Sequence, residues 1–191
     1  LLLRRKTPKW TDEQHALLPD GIRDTNATDI LLEFKYTESV NDDSIQQTLS
    51  YDYLYRQNKN IDRENVQSFL LSAKQTQKST LKKLGYEKTE KKGVYRSKYK
   101  IIRKIVLISL NELENVPHNA FIRCFASHIQ EKEKAFELLE QTNLNSFTNR
   151  LRWFLNGLKG LWFNLKGDTI MKLEVTEEQI TEMGKRWGKA Y

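Results

Sequence analysis

Pro19-Asp20-Gly21, followed by Ile30-Leu31-Leu32-Glu33-Phe34-Lys35, is the stretch on which the reading of this chain turns. Its second part is an apolar run carrying an acid and an amine two residues apart. In a β-strand successive side chains point to opposite faces. Glu33 and Lys35 therefore share one face, and Leu32 and Phe34 share the other. A carboxylate and an ammonium stand side by side at the end of a half-buried strand. The surrounding residues predict a first strand over 21–25, a turn at Asn26-Ala27 and a second strand over 29–37. In such a hairpin Asp20 joins Glu33, and two carboxylates and a lysine converge.

That set of side chains suits a divalent metal and an activated water. Mg²⁺ takes oxygen ligands, keeps several waters and uses one or two protein carboxylates. Asp20 and Glu33 would supply these. A bound metal lowers the pKa of its water and screens charge building on a phosphate. Lys35 would orient or help deprotonate that water and offset negative charge in the transition state. Asp29 is the rival first acid, but it lies four residues from Glu33 on the same strand, about 13 Å along an extended chain. The bland alternative is a solvated Glu-Lys ion pair, with Asp20 an ordinary turn residue.

A helix follows over 42–57, with Ile45, Leu49 and Tyr53 as its apolar face. Gln47 and Tyr51 are four apart, so they share a face beside that stripe. The ordered set Pro19-Asp20, Glu33-Phe34-Lys35 and Gln47-x-x-x-Tyr51 resembles the PD-(D/E)xK nuclease superfamily. Its RecB-type exonuclease domains place Gln-x-x-x-Tyr on the helix after Glu-x-Lys. The resemblance spans roughly residues 19–110. Ser68-Phe69-Leu70-Leu71-Ser72, Leu81-Lys82-Lys83-Leu84-Gly85-Tyr86, Gly93-Val94-Tyr95 and the run from Ile105 to Leu113 look like a finer group. These are largely uncharacterised bacterial PD-(D/E)xK-like proteins, distantly similar to recombination-promoting, transposase-like nucleases. One departure is that many members carry a further Glu on a helix well before the Asp. Here nineteen residues precede Asp20, and the nearest Glu is Glu13.

The resemblance implies an α/β fold: a restriction-endonuclease-like core with a mixed central sheet flanked by helices, plus C-terminal helices. It implies hydrolysis of DNA phosphodiesters with Mg²⁺ or Mn²⁺. Asp20, Glu33, Lys35, Gln47 and Tyr51 would form the catalytic set, with Asp20 and Glu33 on the metal. The alternative is an inactive member of the same fold that binds nucleic acid or acts as a scaffold.

Charge adds a partner. The 191-residue chain carries a net charge of +7. Between residues 74 and 104 twelve basic side chains face only Glu87 and Glu90. A local field of that size attracts polyanions. Lys74, Lys78, Lys82, Lys83, Lys91, Lys92, Arg96, Lys98 and Lys100 are the expected nucleic-acid contacts, and Tyr86, Tyr95 and Tyr99 are placed to stack on bases. The alternative is a solvated Lys-rich surface.

Hydrophobic residues make up 38% of the chain and charged residues 30%, the balance of a globular protein. No apolar run is long enough for a membrane span. Leu1-Leu2-Leu3 precedes Arg4-Arg5-Lys6, the reverse of a secretory signal. A single cysteine, Cys124, forms no intrachain disulfide, which fits a cytoplasmic setting. His15, His118 and His128 show no zinc spacing. Further expectations are a strand over 66–73, a short helix over 78–84 closed by Gly85, a strand from Gly93 and a strand over 101–110. One domain over 1–191 is expected, with the nuclease-like core over 19–110 and a helical extension over 118–191. In that extension the aromatic run from Trp153 to Phe163 is a candidate homodimer surface, and a last helix starts at Thr176.

Overall fold

Phe69-Leu70-Leu71 and Ile105-Val106-Leu107-Ile108 are unbroken apolar runs, which is the signature of strands covered on both faces. In the computed structural model they are neighbours at the centre of a mixed sheet. Residues 2–4, 11–141 and 148–163 are described. The strands are β1 (Leu2–Arg4), β2 (Asp29–Lys35), β3 (Val66–Ser72), β4 (Tyr86–Lys88), β5 (Val94–Ser97) and β6 (Ile105–Ser109). Their order is β1-β2-β3-β6-β5-β4. β2, β3 and β6 run parallel, and the remaining pairings are antiparallel. The helices are α1 (Asp12–Leu17), α2 (Asp42–Lys59), α3 (Lys78–Lys83), α4 (Pro117–Arg123), α5 (Ile129–Gln141) and α6 (Asn149–Phe163). An α/β class with helices flanking a mixed sheet is therefore correct.

Alternation along the strands gives the sheet two cores. On one face Ile30, Leu32, Phe69, Leu71, Val94, Val106 and Ile108 pack with Leu18 and Ile22 from the segment before β2. Ile122 and Phe125, at and just beyond the end of α4, close this side. On the other face Leu70, Leu107, Ile105, Tyr86 and Tyr95 pack with Val40, Ile45 and Leu84. Parallel strands need a crossover between them. α2 makes it from β2 to β3, and α3 with the β4–β5 hairpin makes it from β3 to β6.

Several expectations change. The hairpin partner of β2 does not form over 21–25: those residues belong to a turn, and β2 pairs with β1 and β3 instead. Gly21 adopts φ 83°, and the amides of Ile22 and Arg23 both donate to the Pro19 carbonyl, at 3.1 and 3.0 Å. Arg23 then donates to the carbonyls of Leu18 and Ala16, each at 2.8 Å, which holds the turn closed. β4 was not expected. Its Glu87 and Lys88 are exposed, so an edge strand of this kind has no apolar alternation to reveal it. The apolar run over 101–110 begins as a 3-10 turn, Ile102–Lys104, before β6.

α2 is turned relative to its expected stripe. Asn41 and Ser44 form a capping box at its start, and Asn60 ends it in the left-handed region at φ 49°. Its buried residues are Ser44, Ile45, Thr48 and Asp52, and Leu49 packs partly buried on the same core, whereas Tyr53 is exposed. The cause is Asp52, which accepts from Arg56 Nε at 2.9 Å, from Arg63, and from Ser68 Oγ at 2.6 Å. A carboxylate buried with three donors is paid for by those bonds, and it pulls its own face of the helix inward.

The chain divides into two compact units, Leu1–Thr142 and Asn143–Tyr191. α4 and α5 fall in the first unit together with the sheet. Pro117 opens α4 at a position where a missing N–H costs nothing. Buried Arg123 joins the two helices by bonding Asn115 and Glu131. In the second unit α6 carries buried Leu155 and Leu158 and exposed Trp153, Phe154 and Leu161. The helix expected from Thr176 lies outside the described residues. No described helix is long and apolar enough to cross a membrane.

The rotation of α2 is testable by urea denaturation. Ile45→Ala is expected to cost about 2–5 kcal/mol, the usual range for a buried aliphatic truncation. Tyr53→Ala is expected to stay within about 0.5 kcal/mol of wild type, as an exposed position should. A loss in Tyr53→Ala as large as that in Ile45→Ala would restore the Ile45/Leu49/Tyr53 face.

Candidate functional site

Glu33 and Lys35 lie at the carboxyl end of β2, on the face that α2 covers. The parallel register places Lys35 level with Ser72 of β3, and Ser72 level with Ser109 of β6. The Lys35 ammonium touches three oxygens: Glu33 Oε1 at 3.3 Å, Glu38 Oε2 at 3.2 Å and Gln47 Oε1 at 2.6 Å. Gln47 Nε2 in turn donates to the Tyr51 hydroxyl at 2.8 Å. The structure therefore brings together Glu33, Lys35, Gln47 and Tyr51. Lys35 is well covered, with 12% of its side chain exposed, while Tyr51 is half exposed. Burial pushes the Lys35 pKa down, but hydrogen bonds and charge from Glu38 and Glu33 outweigh it and hold the pKa above its ordinary value. The group is a fixed cation at neutral pH.

Asp20 belongs to a different cluster. Leu18 and Ile22 on either side of it pack into the core on the face of Ile30 and Leu32, opposite Glu33 and Lys35. Its backbone N–H donates to Asn119 Oδ1 at 2.9 Å, and Asn119 Nδ2 donates back to Asp20 Oδ2 at 2.8 Å. His118 Nε2 lies 3.2 Å from Asp20 Oδ1, and Lys91 Nζ lies 3.8 Å from the same oxygen. Burial pushes the carboxyl pKa up. The bonds from Asn119 and His118, with the charges of His118 and Lys91, prevail and hold it below its ordinary value. Asp20 and Glu33 thus stand over opposite faces of the sheet and do not form a pair for one metal ion. Among the described residues no three of His, Cys, Asp and Glu come together as a metal-ligand group. Glu38, His118 and Asn119 were not singled out from the sequence. Glu38 is only three residues past Lys35, but the other two are 98 and 99 residues from Asp20 and carry no local signal.

The basic stretch is dispersed by the fold. Lys78, Lys82 and Lys83 ride on α3, Lys91 and Lys92 sit in the β4–β5 turn, Arg96 is on β5, and Lys98 and Lys100 follow it. Lys74 follows β3. Four of these meet carboxylates: Lys83 with Asp42, Lys91 with Asp20, Lys92 with Glu114 and Lys98 with Glu87. Tyr86 and Tyr95 are buried, so of the three interleaved tyrosines Tyr99 alone is exposed.

No protein-family model matches this chain, and no curated protein and no solved structure matches it.

The Asp20 cluster makes an acid-sensitive clasp between the 19–24 turn and α4. A carboxyl whose folded pKa lies below its unfolded value stabilises the fold above the unfolded value and loses that contribution as pH falls through the folded one. Urea midpoints measured on acidification below pH 3.8 should therefore drop, and Asp20→Asn should remove that part of the pH dependence. Asn119→Ala, which leaves a buried carboxylate and amide short of partners, should cost about 1–3 kcal/mol at neutral pH.

Proposed function

We propose that the protein is a nuclease of PD-(D/E)xK type on a restriction-endonuclease-like core, acting on the phosphodiester backbone of DNA. The supporting observation is the bonded row Glu33–Lys35–Gln47–Tyr51 at the carboxyl end of a parallel strand. In open α/β sheets that edge is where ligands bind.

The roles follow from protonation. Lys35 keeps its proton, so it serves as an electrostatic group and not as a base. It is suited to hold a phosphate oxygen and to offset charge as the phosphorus is attacked. Glu33 is the carboxylate positioned to take a proton from an attacking water. Gln47 fixes the ammonium through its carbonyl oxygen and Tyr51 through its amide. The Tyr51 hydroxyl accepts that bond, so its own proton is available to a phosphate oxygen. The Mg²⁺ or Mn²⁺ implied by the resemblance does not fit between Asp20 and Glu33 as they stand, so no step here depends on it.

The placement of Asp20 favours a second reading, in which the same row grips a phosphate without cutting it. A plasmid-nicking assay with Mg²⁺, Mn²⁺ or a chelator, run beside a binding assay, separates the two. The nuclease reading expects nicking by wild type and a loss of about a hundredfold or more in both Glu33→Ala and Lys35→Ala. Nicking that survives both substitutions would place the activity elsewhere. DNA binding without nicking under every condition would establish the second reading.

A further inference from the structure

A cavity of about 340 Å³ opens at the amino-terminal ends of β3 and β6, the edge opposite Glu33 and Lys35. Arg63, Lys100, Arg103 and Lys104 line it, with Glu64 as the one carboxylate among the lining residues. The juxtaposition is a product of topology. Arg63 lies on the 3-10 turn Arg63–Asn65 that leads into β3, and Arg103 and Lys104 lie on the turn that leads into β6. β3 and β6 are parallel neighbours, so their entry turns stand side by side.

We propose that this cavity is a phosphate site, taking a backbone phosphate of the bound nucleic acid and remote from the Glu33–Lys35 row. It rests on the nucleic-acid reading above.

Three observations lead to it. The first is unbalanced charge. Lys83, Lys91, Lys92 and Lys98 each have a carboxylate within ion-pair distance, but among the described residues none lies that close to Lys100, Arg103 or Lys104. Three cations gathered at one concavity repel each other, and an anion relieves that repulsion. The second is a braced frame. The Lys104 carbonyl accepts from Gln67 Nε2 at 2.8 Å and from Arg63 Nη2 at 3.4 Å, and Arg63 is anchored on buried Asp52. The backbone bearing Arg103 and Lys104 is therefore tied to β3 before any ligand arrives, which lowers the ordering cost of binding. The third is the lining itself, which includes no aromatic ring. Stacking on a base is not offered there, so the chemistry recognised is phosphate and sugar.

The test is fluorescence anisotropy with a labelled DNA duplex across a salt series. It compares wild type, Lys100→Glu/Arg103→Glu at the cavity and Lys88→Glu/Arg150→Glu at two exposed positions outside its lining. The two variants carry the same change in charge, and thermal melting checks that each is folded. The cavity variant is expected to bind about tenfold or more weakly near 0.1 M salt and to lose about one to two units of salt slope. The Lys88/Arg150 variant should change less than about threefold. Equal weakening in both variants would reduce the effect to overall charge and overturn the site, as would no change in either. Inorganic pyrophosphate provides a further arm. If it binds wild type and not the cavity variant while duplex affinity is the same in both, the ligand is a free phosphate compound and the backbone assignment fails. Loss of nicking with duplex binding intact bears on Glu33 and Lys35 alone, so the two proposals fail separately.

Discussion

Alternation along β2 governs most of what this structure does. One set of its side chains, Ile30 and Leu32, is committed to the core beneath the 18–22 segment and α4. The other set, ending in Glu33 and Lys35, must then face α2. Parallel pairing with β3 and β6 aligns the carboxyl ends of three strands, so Lys35, Ser72 and Ser109 form a row along one edge. A slip of one residue would bury the ion pair and expose the apolar set, which is a cost no local rearrangement could recover.

Around that frame, buried polar clusters fix elements that apolar packing alone would leave free to rotate. Asp52 with Arg56, Arg63 and Ser68 sets the rotation of α2 and the start of β3. Arg123 with Asn115 and Glu131 ties α4 to α5. Asp20 with Asn119 and His118 ties the turn before β2 to α4. Each is a charge taken out of water and matched by several directed bonds, so removing one partner costs far more than the pair itself contributes. The same logic applies to Lys35, whose ammonium is desolvated yet held charged by Glu38, Glu33 and Gln47.

The positive charge obeys a looser rule. A run of lysines is contiguous along the chain, but strand, turn and helix geometry distribute it over several surfaces. Some of those lysines meet carboxylates that are far away in sequence: Asp42 is 41 residues from Lys83. Three of the others, Lys100, Arg103 and Lys104, gather where two parallel strands begin. The two ends of the sheet thus differ in kind, with a compact acid–amide–ammonium row at the carboxyl end and an open basic concavity at the amino end.

Features with a local period were legible before any coordinates. Glu33 and Lys35 share a face because strands repeat every two residues, and Gln47 reaches Tyr51 because helices bring i and i+4 together. The central strands β3 and β6 announced themselves through the apolar runs Phe69-Leu70-Leu71 and Ile105-Val106-Leu107-Ile108, and Gly85, at positive φ, marked the close of α3. Asp20 could not be placed in the same way. Its partners lie 98 and 99 residues away, and its position depends on a turn closed by side-chain bonds from Arg23. Which face of α2 turns inward was likewise decided by Arg63 and Ser68, 11 and 16 residues from Asp52. Periodicity records what each residue does relative to its immediate neighbours. Contacts between distant segments arise only when the chain closes on itself, and there the balance of desolvation and pairing chooses among arrangements that local pattern treats as equal.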